Sequence, residues 1–152
     1  MSDDAVKTAL HLLDEVSTGA LGTLTGEGYP MASLVAYAVA RDGAPLFLIS
    51  SMAFHTKNLN ADPRASLLIR DETSGDALAR ARVTLLGTVS RLAETDIDDA
   101  RTRFLARHPQ AATYVGFADF SFHKLKIERA HLVAGFGRIV EIPGKAFARA
   151  AG

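Results

Sequence analysis

The sequence contains no cysteine and no tryptophan. Without cysteine the chain cannot form disulfides, cysteine-ligated zinc sites or a thiol nucleophile. Its 152 residues are 48% hydrophobic and 22% charged, which is typical of a globular chain of about one domain and excludes disordered and collagen-like classes. A chain of this length buries roughly 68–70% of its unfolded surface, so a hydrophobic core can stabilise it without cross-links.

Net charge is also lacking. The 17 Lys and Arg residues balance the 17 Asp and Glu residues, which gives a formal net charge of zero. Nucleic acids and anionic membranes usually bind proteins with a basic excess, so the composition favours neither as a partner. A small domain without net charge is poorly soluble alone, and the sequence therefore favours self-association.

Long hydrophobic runs are absent. No uncharged segment approaches the ~20 apolar residues that cross a bilayer. The first residues include Asp3 and Asp4 and lack the basic stretch that begins a secretory signal. The sequence therefore predicts a cytoplasmic protein without a membrane segment.

The short motifs of several enzyme classes are missing as well. The sequence has no GxGxxG, no Walker-type phosphate loop, no HExxH and no GxSxG. The five histidines do not fall at spacings that place two of them on one face beside a carboxylate, so no metal site is predicted. No residue is identified as catalytic, because nothing marks a general base or a nucleophile.

Apolar periodicity and turn signals predict an α+β chain. Val6, Leu10 and Leu13 recur at helical spacing and indicate an amphipathic helix near the start. Short apolar runs between turns rich in Gly, Pro and Asp indicate antiparallel strands. The predicted strands lie at 21–24, 31–40, 46–50, 64–70, 82–89, 117–125 and 131–142, and a short helix is predicted at 54–61. Helices fall between strand groups without regular βαβ alternation, which favours a closed or half-closed antiparallel barrel.

A single domain is predicted over residues 1–142. No internal repeat and no shift in composition marks a second domain. Residues 143–152 show little pattern, so they are predicted to form a C-terminal tail that is disordered or packs on a partner.

The segment 50–59 carries the strongest functional signal. It places Ser50, His55, Thr56 and Lys57 where a buried strand ends and a short helix begins. Free backbone N–H groups, the helix dipole and a lysine together attract an anionic group. The alternative is that Ser50 or its neighbour caps the helix and Lys57 is solvated, and composition favours neither interpretation.

Three further features are weaker candidates. Ser33 lies inside an apolar strand and Arg82 begins another, but either fits an ordinary polar strand face or a barrel rim. The segment 135–138 would allow Phe136 to contact a flat ligand and Arg138 a charge. A β-bulge is the favoured interpretation of that segment.

Several segments, taken in order, resemble a known family. They are GYPMASLV (28–35), PLFLIS (45–50), HTKNL (55–59), DPRASL (62–67) and RVTLLG (82–87). Together they resemble the pyridoxamine 5′-phosphate oxidase-related FMN-binding split-barrel family. HTKNL and the GFGR at 135–138 indicate the branch related to haem-utilisation proteins.

The resemblance implies a six-stranded antiparallel split β-barrel with flanking helices. It implies a homodimer that binds one FMN in each of two clefts between its subunits, and a flavoprotein oxidoreductase acting on an unidentified small-molecule substrate. The implied cofactor-binding residues are Ser33, Leu34, Val35, Ser50, His55, Thr56, Lys57 and Arg82. Of these, the 33–35 segment would line the flavin, Arg82 would support its polar edge, and the rest would hold the phosphate.

The sequence also departs from this family's pattern. Ser33 stands where the family often has a phosphate-binding arginine, and Arg82 stands where the oxidases have a glutamine that contacts the flavin. The substrate-phosphate motif of true pyridoxamine 5′-phosphate oxidases is not recognisable in 131–142, so oxidation of vitamin B6 is not predicted. The alternative function is haem binding or haem degradation on the same barrel, with His123 or His131 as the axial ligand. The third interpretation is a non-catalytic dimeric barrel with a vestigial cleft.

Overall fold

The computed structural model of the chain describes residues 3–73, 75–76, 80–135 and 137–151. Its helices are α1 (Asp3–Glu15), α2 (Phe54–Ala61), α3 (Glu94–Arg107), a 3₁₀ helix (Pro109–Thr113) and α4 (Gly144–Ala151). Its strands are β1 (Thr18–Leu24), β2 (Pro30–Ala36), β3 (Ala38–Val39), β4 (Pro45–Ser50), β5 (Arg64–Arg70), β6 (Arg82–Arg91), β7 (Phe120–Val133) and β8 (Ile139–Pro143). Within the described ranges, no helix is both long enough and apolar enough to cross a bilayer.

The strands form one antiparallel sheet that curls into a split barrel. They follow the order β2-β1-β5-β6-β7-β4-β3, and β8 pairs with β7. The predicted α+β class and antiparallel barrel are confirmed, although the sheet has eight strands among the described residues and not six. Its two shortest strands, β3 and β8, account for the difference. β2 approaches β4 without pairing to it, and this seam is where the barrel is split.

Two hydrophobic clusters lie on opposite faces of β4. Phe47 and Ile49 belong to the core inside the barrel, which α1 and α4 also contact. Leu46 and Leu48 belong to a second cluster, which Phe104 of α3 completes. Burial on both faces explains why the sequence of β4 is apolar at every position except the last.

The C-terminal segment differs from the prediction of a patternless tail. Residues 144–151 form α4, and Phe147 of this helix is fully buried in the barrel core. The helix is short and rich in alanine, so a single aromatic anchor was too little to indicate periodicity.

A buried polar cluster ties α1 and α3 to the barrel. The Tyr37 hydroxyl lies 2.9 Å from the carbonyl oxygen of Leu13 and 2.5 Å from that of Val16. His108 Nε2 donates to the Tyr37 carbonyl oxygen at 2.7 Å. Burial raises the pKa of Tyr37, so the phenol stays a neutral donor. The two contacts of the Tyr37 hydroxyl satisfy carbonyl groups that the end of α1 leaves without intrahelical partners.

Candidate functional site

Four of the predicted cofactor residues meet at the seam between β2 and β4. A pocket of about 260 Å³ lies there, and Leu34, Val35, Ser50 and His55 contribute to its lining. Its other walls come from Ala36, Leu48, Ile49, Ala53, Phe104, Tyr114 and Phe120. We call it the seam pocket. Its volume lies below the ~300–1,000 Å³ typical of small-molecule sites.

His55 gives the seam pocket its one imidazole. Nε2 of His55 is buried and has no hydrogen-bond partner among the described residues. Burial lowers the pKa of His55, which favours the neutral ring. An unpaired buried nitrogen costs about 1–3 kcal/mol, so a polar ligand atom at this position would be stabilising.

Ser50 is already engaged within the chain. Its hydroxyl donates to Asp119 Oδ2 at 2.8 Å and accepts the N–H of Met52 at 3.1 Å. The carboxylate therefore stands beside the position at which the sequence predicted a phosphate. Because two anions repel, this carboxylate disfavours a phosphate at Ser50. Ser50 does not cap α2 either, since Ala53 holds the N-cap position without a side-chain bond.

Thr56 and Lys57 do not line the seam pocket. The Thr56 side chain is buried and its Oγ1 has no partner in the described part of the chain. Lys57 is exposed, and its Nζ lies 5.6 Å from the centroid of the Phe54 ring, in a cation–π contact. Of the four side chains predicted to hold a phosphate, Ser50 and His55 therefore line the seam pocket and Thr56 and Lys57 do not.

Ser33 and Arg82 are also outside the seam pocket. Ser33 pairs in register with the fully buried Leu21, so its side chain faces the barrel interior. Leu34, its neighbour, faces outwards and is 81% exposed. Arg82 is half-buried at the start of β6, where it pairs with Arg70 of β5. Because successive residues of a strand face opposite sides, Ser33 and Leu34 lie on different faces of the sheet, although the resemblance implied that both line the flavin.

The outer side of the sheet forms an open face that the sequence did not predict. One row across the strands consists of Leu34, Ala20, Leu68, Thr84, His131 and Glu141. The adjacent row consists of Ala32, Gly22, Ser66, Leu86, Arg129 and Pro143. We call these two rows the open sheet face. Its β2 and β5 end is apolar, and its β7 and β8 end carries charged side chains.

A hollow of about 680 Å³ lies at the charged end of the open sheet face. It is lined by Thr84, Leu86, Arg129, His131, Glu141, Ile142 and Pro143, and we call it the His131 hollow. His131 Nδ1 lies 2.5 Å from Glu141 Oε1, and the His131 side chain is 42% exposed. An accessible imidazole with a carboxylate behind it is a common arrangement in metal ligation.

His123, the other predicted axial ligand, lies in a different environment. It is 6% exposed, and its Nδ1 is 3.3 Å from the carbonyl oxygen of Ser121. Burial, with smaller contributions from the charges of Arg91 and His55, lowers the pKa of His123. A large planar ligand reaches this ring only if the barrel opens.

Gly135, Gly137 and Arg138 lie in the turn between β7 and β8. Gly135 and Gly137 have φ angles of 119° and 73°, which glycine adopts without strain. The Ala134 N–H donates to the carbonyl oxygen of Arg138 at 2.8 Å, and Arg138 is exposed. These residues thus belong to a hairpin turn and not to a bulge within a strand. Phe136, predicted to contact a flat ligand, lies outside the described residues.

Comparisons with known proteins add a second line of observation. Residues 1–149 match the family model described as CREG, beta-barrel. A curated protein of Arabidopsis thaliana, named non-canonical heme oxygenase HOZ, chloroplastic, is 38% identical over 136 residues. That alignment covers 83% of this chain and 41% of the plant protein.

Solved structures of other proteins superpose on this barrel. A structure described as a heme binding protein from Mycobacterium smegmatis superposes with a TM-score of 0.92 at 37% identity, over 98% of this chain and 62% of that one. A Clostridium acetobutylicum protein of the pyridoxinephosphate oxidase family superposes with a TM-score of 0.73 at 13% identity, over 94% of this chain and 96% of that one. The second likeness shows a shared fold alone. The chain spans less than half of the plant relative and less than two thirds of the mycobacterial one.

Proposed function

The chain belongs to the CREG β-barrel family, among the split barrels related to pyridoxamine 5′-phosphate oxidase, and from that premise we propose that it is a haem-binding protein. The proposal rests on the 38% identity, over most of this chain, to a protein named a heme oxygenase. The mycobacterial structure described as heme-binding supports it at 37% identity. The main interpretation from the sequence, an FMN oxidoreductase, has support only from distant neighbours of the same fold.

The geometry of the predicted phosphate site also favours haem over FMN. An FMN phosphate is a dianion and requires several converging donors or cations. Here Ser50 is bonded to the Asp119 carboxylate, and Lys57 lies against the Phe54 ring. Haem requires apolar walls, an imidazole and cations for its carboxylates, and bound haem supplies iron for oxygen or electron chemistry. Among the described residues, His131 offers an accessible imidazole at a concave surface, as this chemistry requires.

Parallel titrations with haemin and FMN test the proposed function. We expect haemin to produce a Soret band that saturates at one haem per chain, because the fold and the imidazoles suit an iron porphyrin. We expect FMN fluorescence to remain unquenched at the same concentrations. Decay of the Soret band in air after addition of ascorbate would extend the function to haem degradation.

Lys57→Ala is the matched variant for these titrations. A charge-assisted phosphate contact is worth about 1.5–3 kcal/mol, so the variant would weaken FMN binding at least tenfold if Lys57 held the phosphate. We expect the haemin titration to be unchanged by this substitution. If FMN fluorescence is quenched, no Soret band forms and the quenching is lost in Lys57→Ala, then the ligand of the protein is FMN and not haem.

We also propose that the chain forms a homodimer through the apolar end of the open sheet face. Leu34 is 81% exposed and Leu68 is 40% exposed, and the small residues Ala20 and Gly22 lie between them. Exposed apolar patches of this kind mark protein interfaces. The zero net charge allows two copies to approach without long-range repulsion.

Leu68→Glu is expected to convert the dimer into a monomer. The new carboxylate would be buried unpaired against the second copy, which costs several kcal/mol. Sedimentation equilibrium measures the outcome: twice 16.2 kDa for the unsubstituted chain and 16.2 kDa for the variant. Tyr29→Glu, at an exposed position in the β1–β2 turn, is the control and should stay dimeric. A monomeric unsubstituted chain, or a dimeric Leu68→Glu, contradicts this interface.

A further inference from the structure

Axial ligation of iron requires an imidazole nitrogen that a large planar ligand can reach. All five histidines lie in the described residues, and they differ sharply in access. His108 and His123 are buried, and Nε2 of His108 is bonded to a backbone carbonyl group. Nε2 of His55 is buried in the small seam pocket. His11 is exposed on α1 but lines neither the seam pocket nor the His131 hollow.

Among the contacts of the described residues, His131 is the exposed histidine that is hydrogen-bonded to a carboxylate. It faces Glu141 directly in the register of β7 and β8, so the sheet itself holds the pair together. The distance of 2.5 Å between Nδ1 and Oε1 means that Nδ1–H donates to the carboxylate. This bond fixes the tautomer in which Nε2 carries the free lone pair, and it holds the ring in one orientation.

The surroundings of His131 match the remaining chemistry of a haem. Leu86 and Pro143 provide apolar walls, while the side chain of Ile142 lies in the barrel core beneath the hollow. Arg129 lies two residues before His131 on the same face of β7, where its guanidinium can pair with a carboxylate. The volume of about 680 Å³ falls within the ~300–1,000 Å³ range of small-molecule sites.

We infer that the His131 hollow is the haem site of this chain. His131 Nε2 is the axial ligand of the iron, Glu141 positions the imidazole, and Arg129 pairs with a haem carboxylate. This inference rests on the proposed haem-binding function and names the residues that carry it.

Haemin titrations of three variants, followed by the Soret band, test the site. We expect His131→Ala to weaken binding at least tenfold, and millimolar imidazole to restore the band by replacing the lost ring. We expect Glu141→Gln to keep the ligand but to weaken binding about tenfold, in the range seen when metal-orienting partners are lost. Glu141→Gln should also raise the reduction potential of the bound haem, because a neutral amide polarises the ligating imidazole less than a carboxylate does. His11→Ala is the matched control and should bind as the unsubstituted chain does.

The outcomes separate the site from the function. If the unsubstituted chain binds haemin and all three variants bind equally well, the His131 hollow is not the site, while the haem function stands. If the unsubstituted chain binds no haemin, the function fails and the site fails with it. Circular dichroism identifies any variant that does not fold. Glu141→Gln changes only a surface carboxylate to an amide. If His131→Ala does not fold, the reduction potential of haem bound to Glu141→Gln therefore tests the site.

Discussion

Gly87→Ala is expected to destabilise the protein by about 3 kcal/mol or more, at or beyond the upper end of the ~1–3 kcal/mol typical of overpacking. A Cβ atom at Gly87 would lie 1.9 Å from the carbonyl oxygen of Lys126. The register of β6 against β7 shifts between Leu86 and Gly87, and Glu128 is the extra residue of this bulge. The clash is with backbone and not with a flexible side chain, so β6 and β7 must separate to relieve it.

Chemical denaturation followed by circular dichroism measures this loss. Gly116→Ala is the matched control, because a Cβ atom there meets nothing within 4 Å and the residue has no positive φ. The control should remain within about 0.5 kcal/mol of the unsubstituted chain. Equal stabilities for the two variants would mean that the bulge is not packed as described.

Phe104→Ala is expected to cost about 3–5 kcal/mol, the usual range for removing a buried phenylalanine. Phe104 is 1% exposed, and its ring centroid lies 4.8 Å from that of His108 and 5.8 Å from that of Phe122. It also lines the seam pocket, so truncation joins the new cavity to that pocket.

Phe104→Leu separates stability from haem binding. Leucine keeps most of the buried apolar volume, so we expect a smaller loss of stability than for alanine. Haemin affinity should be unchanged, because Phe104 lies in the cluster around α3 and does not line the His131 hollow. A tenfold loss of haem affinity in Phe104→Leu would instead place the haem at the seam pocket.

Local sequence signals predicted the fold well where they were strong. The helix at 54–61 and the strands at 64–70 and near 46–50 have the bounds expected, because turn residues and Pro63 delimit them. The same local signals grouped Leu34, Val35, Ser50 and His55, which do line one pocket. The resemblance could not reveal that Ser33 faces inwards, since that depends on the register against Leu21.

Contacts between distant segments were beyond the reach of the sequence. Asp119 is 69 positions from Ser50, and only the pairing of β4 with β7 brings its carboxylate to that hydroxyl. The His131–Glu141 pair is different, because it spans only ten positions and the glycines between the two residues indicate a hairpin. In a two-stranded hairpin around Gly135 and Gly137, these residues fall opposite each other on one face. The local sequence around either residue alone does not indicate the pair.

The chromophore that the protein carries after purification decides between haem and FMN. The chain is expressed in cells supplied with both a haem precursor and riboflavin, and the purified chromophore is extracted and identified by its absorption spectrum. We expect protohaem at close to one equivalent per chain and no FMN. FMN at one equivalent, with no haem, would contradict the haem-binding function.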